Sequence, residues 1–524
     1  MAESGRGERS GGVGAAWTGH HVLVAGARRT GASVVDVLLE LGARVTVADA
    51  DPAQLATLAD RAVASTTDLA TVPAGCDLVV TSPGFRPDSP LALAARDAGV
   101  EMIGEPELAW RLGQDPAVCP EGPPVWLAVT GTNGKTTTTG MLEAILLAAG
   151  LDAVACGNIG LPVVDALRAG HRVLAVELSS FQLEWSPTVA PFAGAVLNVA
   201  DDHLDWHGSM AAYAAAKARV LRGRIAIGGL DDERAAGLLR SAPGRRVGFT
   251  RGEPRPGELG VETTRGVRRL LDRAFDDAGG EDRRGVVLAE VADIVPAGPP
   301  GEANALAAAA LARAYGVPAD AVAAGLRAYA PGAHRGAVVA ESGGIRWVDD
   351  SKATNPHAAA ASLAAHARVV WVAGGLLKGA SVDDLVLANA GRLAGAVLLG
   401  ADRARFLEAL ARHAPEVPVD DVGGGDDGAM TPGDPMLAAA RSAATMARPG
   451  DVVLLAPAAA SMDMFRDYAA RGDAFAAAAQ RVAGADGPAA EPGLDPDTAP
   501  EPGADGASGV TGDDLVEPAA DPSS

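Results

Sequence analysis

The stretch VTGTNGKTTTT, residues 129–139, decides how the rest of the chain is read. An apolar run over residues 124–129 leads into it, and residues 136–149 carry a helical period after it. Glycines held between a strand and a helix are the setting of a phosphate-binding loop. Backbone N–H groups of Gly131, Thr132, Asn133, Gly134 and onward to Thr136 and Thr137 would converge on phosphate oxygens, an approach that glycine permits. Lys135 would set a mobile positive charge on the β- and γ-phosphates, and the Thr136 hydroxyl would ligate Mg2+. The strict pattern asks for glycine where Val129 stands, so the loop is a shortened variant.

Lys135 is one of only four lysines among 44 basic residues; the others are Lys217, Lys352 and Lys378. In a chain that otherwise writes arginine, four retained lysines mark positions where a compact or titratable amine is needed. At 524 residues the chain has room for two to four domains of about 150 residues. Hydrophobic residues at 48% and charged ones at 21% fit a packed globular protein.

The formal charge of −22 would repel a phosphodiester backbone, which argues against a nucleic-acid partner. The Pro-, Gly- and acid-rich residues 485–524 are expected to form a disordered tail, as are residues 1–16. The N-terminus lacks the apolar core of a signal peptide, and no apolar run reaches the ~20 residues that span a bilayer. A cytoplasmic protein, monomeric and without membrane insertion, is expected. Cys76, Cys119 and Cys156 show no metal spacing and are read as buried free thiols.

The fold class expected is α/β with three domains. Residues 17–115 form a Rossmann-like domain, 124–330 a central P-loop domain, and 331–484 a second doubly wound domain. In the first, a strand at residues 21–25, a turn at 26–31, a helix at 32–41 and a strand at 44–48 ending at Asp49 make a unit able to receive an anion. Its turn is G-x-x-x-T-G, not the dinucleotide fingerprint. A further short strand lies in residues 76–84, and residues 115–124 read as a connector. In the central domain, strands are expected at 172–177 and 193–198 and helices at 304–315 and 319–328, whereas residues 245–284 read as irregular excursions or a solvated hairpin. The third domain has strands at 345–349, 369–373, 395–399 and 451–456, with an acidic surface loop at 420–435.

Eight further words follow the loop in order: GNIGLP (157–162), ELSSFQLE (177–184), LNVADDHLDWHG (197–208), YAAAKARVL (213–221), HRG (334–336), DDSKATNP (349–356), GGLLKG (374–379) and FRDYAARGDAF (465–475). Together they resemble the Mur ligases, over about residues 17–483. ELSSFQLE and the G-x-x-x-T-G opening resemble the branch that adds D-glutamate to UDP-N-acetylmuramoyl-L-alanine.

The resemblance implies ATP-driven amide synthesis through an acyl phosphate, with two Mg2+ sites. It implies that Glu177, His203 and Thr136 hold Mg2+, and that Lys217 carries CO2 as an anionic carbamate that joins them; Tyr213 lies one turn before it. Lys135, Lys217, His203 and Glu177 are then the catalytic set. Asn304, His334, Arg335 and Asp350 are implied as further ATP contacts, although Pro300 and Gly301 stand where the family commonly writes His-Asn. Thr30, Asp49, Gly84 and Asn158 are implied for the UDP substrate, and Lys352, Thr354, Lys378, Ser461 and Tyr468 for D-glutamate. Competing readings are a sibling Mur ligase or folylpolyglutamate synthase, a P-loop NTPase acting as a switch or binding module, and a nicotinamide dehydrogenase.

Overall fold

The computed structural model describes residues 17–275, 285–423 and 434–485. The expectations for residues 1–16, for the tail from residue 486 and for most of the acidic loop lie outside the described residues. Three sheets follow one another along the chain.

The first has five parallel strands in the order Ala64–Thr66, Arg44–Ala48, His21–Ala25, Leu78–Thr81, Glu101–Gly104. The central strand, HVLVA, is buried at every position, as a parallel strand covered on both faces must be. The helix Arg29–Glu40 begins earlier than the sequence suggested. Gly26, at φ 104°, turns the chain sharply, and Gly31 packs where a Cβ would lie 1.8 Å from the Gly26 carbonyl oxygen.

The second sheet has nine strands, in the order Val286–Glu290, Val267–Asp272, Glu258–Thr264, Arg245–Phe249, Ile225–Gly229, Ala193–Val196, Val125–Thr130, Val173–Glu177, Ala153–Gly157. Residues 245–249, 258–264 and 267–272 are strands of the central sheet, the last two forming an antiparallel hairpin that is partly buried in place of the expected solvated one; residues 276–284 lie outside the described residues. Leu259, Val261 and Leu270 are buried in one core with the Ala-rich helix Pro299–Tyr315. The charges that disguised these strands sit on exposed ends, or are paired: Arg313 Nε donates to Asp272 Oδ2 at 2.8 Å, both side chains buried. The helix also starts five residues before residue 304, because Pro299 and Pro300 occupy first-turn positions whose N–H groups would have no partner.

The third sheet runs Ala337–Ser342, Ile345–Asp349, Val452–Leu455, Val369–Gly374, Leu393–Leu399, Val419–Gly423, with only the first pair antiparallel. The strand Val419–Gly423 takes the first residues of the expected acidic loop, and Asp434 and Pro435 at its far end open the helix Pro435–Met446.

The units on either side of residues 115–124 pack directly against each other. The helix Glu105–Gln114 lays Trp110 edge-on against Trp126 of the P-loop strand, with ring centroids 5.3 Å apart. Glu107, fully buried, accepts hydrogen bonds from the N–H groups of Thr188 and Val189. One continuous hydrophobic core consequently joins Val22, Leu38 and Val80 to Trp126, Val163 and Leu183. Cys76 and Cys156 are buried free thiols as expected, while Cys119 is only half-buried. Among the described residues no helix is long and apolar enough to cross a membrane.

Candidate active site

The site grows from parallel register. Val129 of the P-loop strand pairs with Glu177 on one side and Ala195 on the other, so three strands end together. Ligands in open α/β sheets collect outside such carboxyl ends. Residues 131–134 cross this edge and enter the helix Lys135–Ala148 through Gly134 at φ 85°. A Cβ there would lie 2.3 Å from Asn304 Oδ1, which also accepts from the Thr138 hydroxyl at 3.3 Å. Asn304 thus backs the loop.

Asn198, which sequence reasoning passed over, clamps the same loop. Its Oδ1 accepts from the Asn133 N–H at 2.9 Å and its Nδ2 donates to the Asn133 carbonyl at 3.1 Å. The Asn133 side chain reaches the third domain, 2.8 Å from His357 Nδ1 and 3.2 Å from Asn355 Nδ2.

Lys135 Nζ donates to the carbonyls of Gly131 and Thr132, at 2.9 and 3.0 Å. Lys217 Nζ donates to the same Gly131 carbonyl at 2.8 Å. Two ammonium groups therefore share one acceptor. Lys217 is 1% exposed and rests on the Tyr213 ring, whose hydroxyl is 3.0 Å from Thr132 Oγ1. Burial, then the charge of Lys135, pull the Lys217 pKa well below that of a free lysine, against the attraction of Asp202 and Glu177. Burial likewise lowers Lys135; Lys352 and Arg335 add to that fall, while Glu177 and Asp202 oppose it. His203 is held below its usual pKa by burial and by Lys135, Lys217 and Lys378, with Asp202 opposing. All four lysines act on one region.

Glu177 is buried. Its Oε1 accepts from Asn158 Nδ2 at 2.7 Å, and its Oε2 has no hydrogen-bond partner. An unpartnered buried carboxylate oxygen at a phosphate loop suits a hard cation. Among the described residues no three His, Cys, Asp or Glu side chains cluster as a metal site. His203 adopts φ 53°, and four residues on, His207 packs against Phe181 and sits 2.9 Å from the Ser180 hydroxyl. Burial lowers the His207 pKa to about 4, so its ring is neutral at physiological pH. The second histidine of DDHLDWH was its only sequence signal.

In the third domain, Lys352 Nζ lies 3.8 Å from the centroid of the Tyr468 ring. The Ala458 N–H donates to the Ala353 carbonyl, and Leu376 and Ala460 exchange backbone bonds at 2.8 and 2.9 Å. These contacts draw together the loops bearing Lys352 and Thr354, Lys378, and buried Ser461. Among the described residues, His203, His334 and Lys378 are three of five non-glycine residues with positive φ, a strain that accumulates where side chains must be aimed. His334 Nδ1 lies 2.6 Å from Asp349 Oδ2 and its Nε2 3.6 Å from Asp473 Oδ1, which fixes the ring within the third domain. Asp350 is pushed up to about 6 by burial, with hydrogen bonds from Ser362 and Gly336 and the charge of Arg335 opposing.

The N-terminal domain carries a cavity of about 370 Å3 lined by Gly26, Arg28, Asp49, Ser82, Gly84 and Arg86. Asp49 also holds the turn, accepting from the Ala27 N–H at 2.8 Å. Thr30 stands in the first turn of the adjoining helix. Asn158 belongs with Glu177, apart from this cavity. Trp185 and Trp206 donate their indole N–H groups to the carbonyls of Phe85 and Gly84, tying the cavity rim to the central domain.

The phosphate loop with Lys135 and Lys217 on it is the setting of ATP-dependent chemistry, here that of a ligase, and the chain belongs to the Mur ligase family. Matching family models are a Mur ligase MurD-like N-terminal domain at residues 20–104, a Mur ligase middle domain at 129–252, and a Mur ligase glutamate ligase domain at 334–459. Among curated relatives, the UDP-N-acetylmuramoylalanine--D-glutamate ligase of Rhodococcus jostii is 54% identical over 495 residues, covering 89% of this chain and 96% of that one. Its namesake from Mycobacterium tuberculosis is 53% identical over 490 residues, covering 88% and 96%. Among solved structures, UDP-N-acetylmuramate-alanine ligase MurC from Thermotoga maritima matches with a TM-score of 0.52 at 18% identity, covering 88% of this chain and 99% of that one. MurF from Acinetobacter baumannii matches with a TM-score of 0.52 at 20% identity, covering 84% and 87%. At these identities the two structures speak for the shared fold.

Proposed function

We propose that the chain is an ATP-dependent ligase that joins D-glutamate to the carboxyl group of UDP-N-acetylmuramoyl-L-alanine, a step in building peptidoglycan precursors. The observation that carries this is the meeting of Lys135 Nζ and Lys217 Nζ on the Gly131 carbonyl of the phosphate loop, in a domain whose buried Glu177 keeps one oxygen without a partner. A carboxylate and a triphosphate repel each other, and a preorganised cationic cleft offsets that repulsion.

Lys135 and the N–H groups that open its helix, residues 134–137, bind the β- and γ-phosphates, while the Thr132 and Asn133 N–H groups stay on Asn198. The substrate carboxylate oxygen attacks the γ-phosphorus, ADP leaves, and an acyl phosphate forms. Lys352, Lys378, Thr354, Ser461 and Tyr468 hold D-glutamate, whose amine attacks the acyl carbon and expels phosphate carrying that carboxylate oxygen. Asn304, Arg335 and Asp350 serve the nucleoside side, with His334 supporting them through Asp349. Arg28, Asp49 and Gly84 line the cavity suited to the uridine diphosphate, with Thr30 beside it. Asn158 orients Glu177.

Bound Mg2+ would neutralise phosphate charge and polarise the γ-phosphate. Thr136, Glu177 and His203 are the residues to hold it, and the orphaned Glu177 Oε2 fits that role. The free amine is the form that adds CO2, burial of Lys217 favours that form, and as a carbamate Lys217 would supply the anion for a second ion. The domains divide as residues 17–115, 124–330 and 331–484, and the protein is a cytoplasmic monomer.

The test is isotopic. UDP-N-acetylmuramoyl-L-alanine labelled with 18O in its carboxylate should transfer one label to released phosphate when ATP and D-glutamate are present. Label-free phosphate would exclude the acyl phosphate.

A further inference from the structure

Arg471, on the helix Tyr468–Ala485, is 1% exposed, and none of its hydrogen bonds goes to a carboxylate. Its Nε donates to Ser351 Oγ at 3.0 Å and its Nη2 to the Ser351 carbonyl at 3.0 Å. Its Nη1 donates to the carbonyls of Ala459 at 3.1 Å and Gly374 at 3.4 Å. Burial draws its pKa down to about 10, with Asp463 and Asp349 opposing at longer range, so it stays charged at neutral pH. Burying a guanidinium on neutral acceptors is costly, and an apolar side chain could fill the same space more cheaply. The arrangement has to serve something other than stability.

Its acceptors say what. Ser351 directly precedes Lys352, Ala459 stands two residues before Ser461, and Gly374 four before Lys378. Ser351 Oγ passes a 2.7 Å bond to the Tyr468 carbonyl, and the Tyr468 ring lies under the Lys352 ammonium. Gly375, at φ 128°, leaves the approach open: a Cβ there would lie 3.3 Å from Arg471 Nη1 and 2.2 Å from the Ala460 carbonyl oxygen.

We propose that Arg471 is a positioning residue for the amino-acid substrate, one planar guanidinium fixing the mutual placement of the three loops that carry Lys352, Lys378 and Ser461. The proposal rests on the assignment of those loops to D-glutamate. Lysine cannot replace it, because an ammonium is a point donor and cannot reach the acceptors of three loops at once.

The experiment compares wild type, Arg471→Lys and Ser351→Ala, each checked for folding by circular dichroism, with KM measured separately for the three substrates. Arg471→Lys should raise the KM for D-glutamate roughly tenfold or more, the scale of one lost charge-assisted hydrogen bond, with ATP and the UDP substrate within about twofold. Ser351→Ala should shift the same KM in the same direction by less, since it removes the Arg471 Nε bond and the link to Tyr468 while the carbonyl bonds to Arg471 remain. Should Arg471→Lys fail to fold, the selective shift in Ser351→Ala decides. An unchanged D-glutamate KM in a folded variant, or a parallel rise in all three, overturns the proposal. A wild-type enzyme that ligates some other amino acid overturns the functional reading instead, and the same variants then report on that amino acid.

Discussion

Replacing Glu105 by glutamine should make the protein more stable at alkaline pH than at acid pH, relative to wild type. Glu105 is 2% exposed where the first domain meets the second. Its Oε1 accepts from the Val164 N–H at 2.7 Å, and its Oε2 is buried without a partner. Burial, with a smaller push from the charge of Asp165, raises its pKa from 4.5 to about 7 against the pull of the Val164 and Val163 N–H groups.

The sign follows from proton counts. Between pH 4.5 and 7 the folded state holds a proton that the unfolded state has released, so stability falls as pH rises through that window. At about 1.4 kcal/mol per pH unit, the whole effect is roughly 3 kcal/mol, of which roughly 2.5 falls between pH 5 and pH 8. Glutamine keeps the acceptor for Val164 and has no charge to lose. Urea unfolding of both proteins at the two pH values should show the difference in unfolding free energy moving by that amount in favour of Glu105→Gln. A difference that stays constant with pH would refute the assigned burial cost.

Other expectations concern the site itself. Lys217→Arg should abolish measurable turnover while costing about 1–3 kcal/mol in stability, since arginine overfills a closed pocket and cannot form a carbamate; full activity would remove the carbamate role. Trp126→Ala should cost about 3–5 kcal/mol in denaturant unfolding, because the ring is buried and carries the Trp110 contact between the first two domains. Removing residues 486–524 should leave all three KM values and kcat unchanged in steady-state assays; a large loss would give the acidic segment a part in catalysis.

Legibility followed the physics of each segment. The strands His21–Ala25, Arg44–Ala48 and Ile345–Asp349 stand where their apolar residues placed them: the first is buried at every position and the other two along most of their C-terminal halves. Glu258–Thr264 and Val267–Asp272 read as irregular excursions or a solvated hairpin because they lie towards one end of the sheet. Each is buried along only part of its length, and charges fill the remainder. The phosphate loop announced itself through local spacing. Lys217 did not, since an Ala-rich helix with one lysine reads as solvated, and its burial is created by segments far away in sequence. Asn198 and Arg471 act on backbone carbonyls and N–H groups of distant loops. Such work leaves no local pattern.

The most direct measurement is phosphate release with ATP, Mg2+ and UDP-N-acetylmuramoyl-L-alanine across a panel of amino acids. Release that depends on D-glutamate, with L-glutamate, L-lysine and L-alanine inert, is the predicted result. Release without any amino acid, or with a different one in its place, would contradict the assignment.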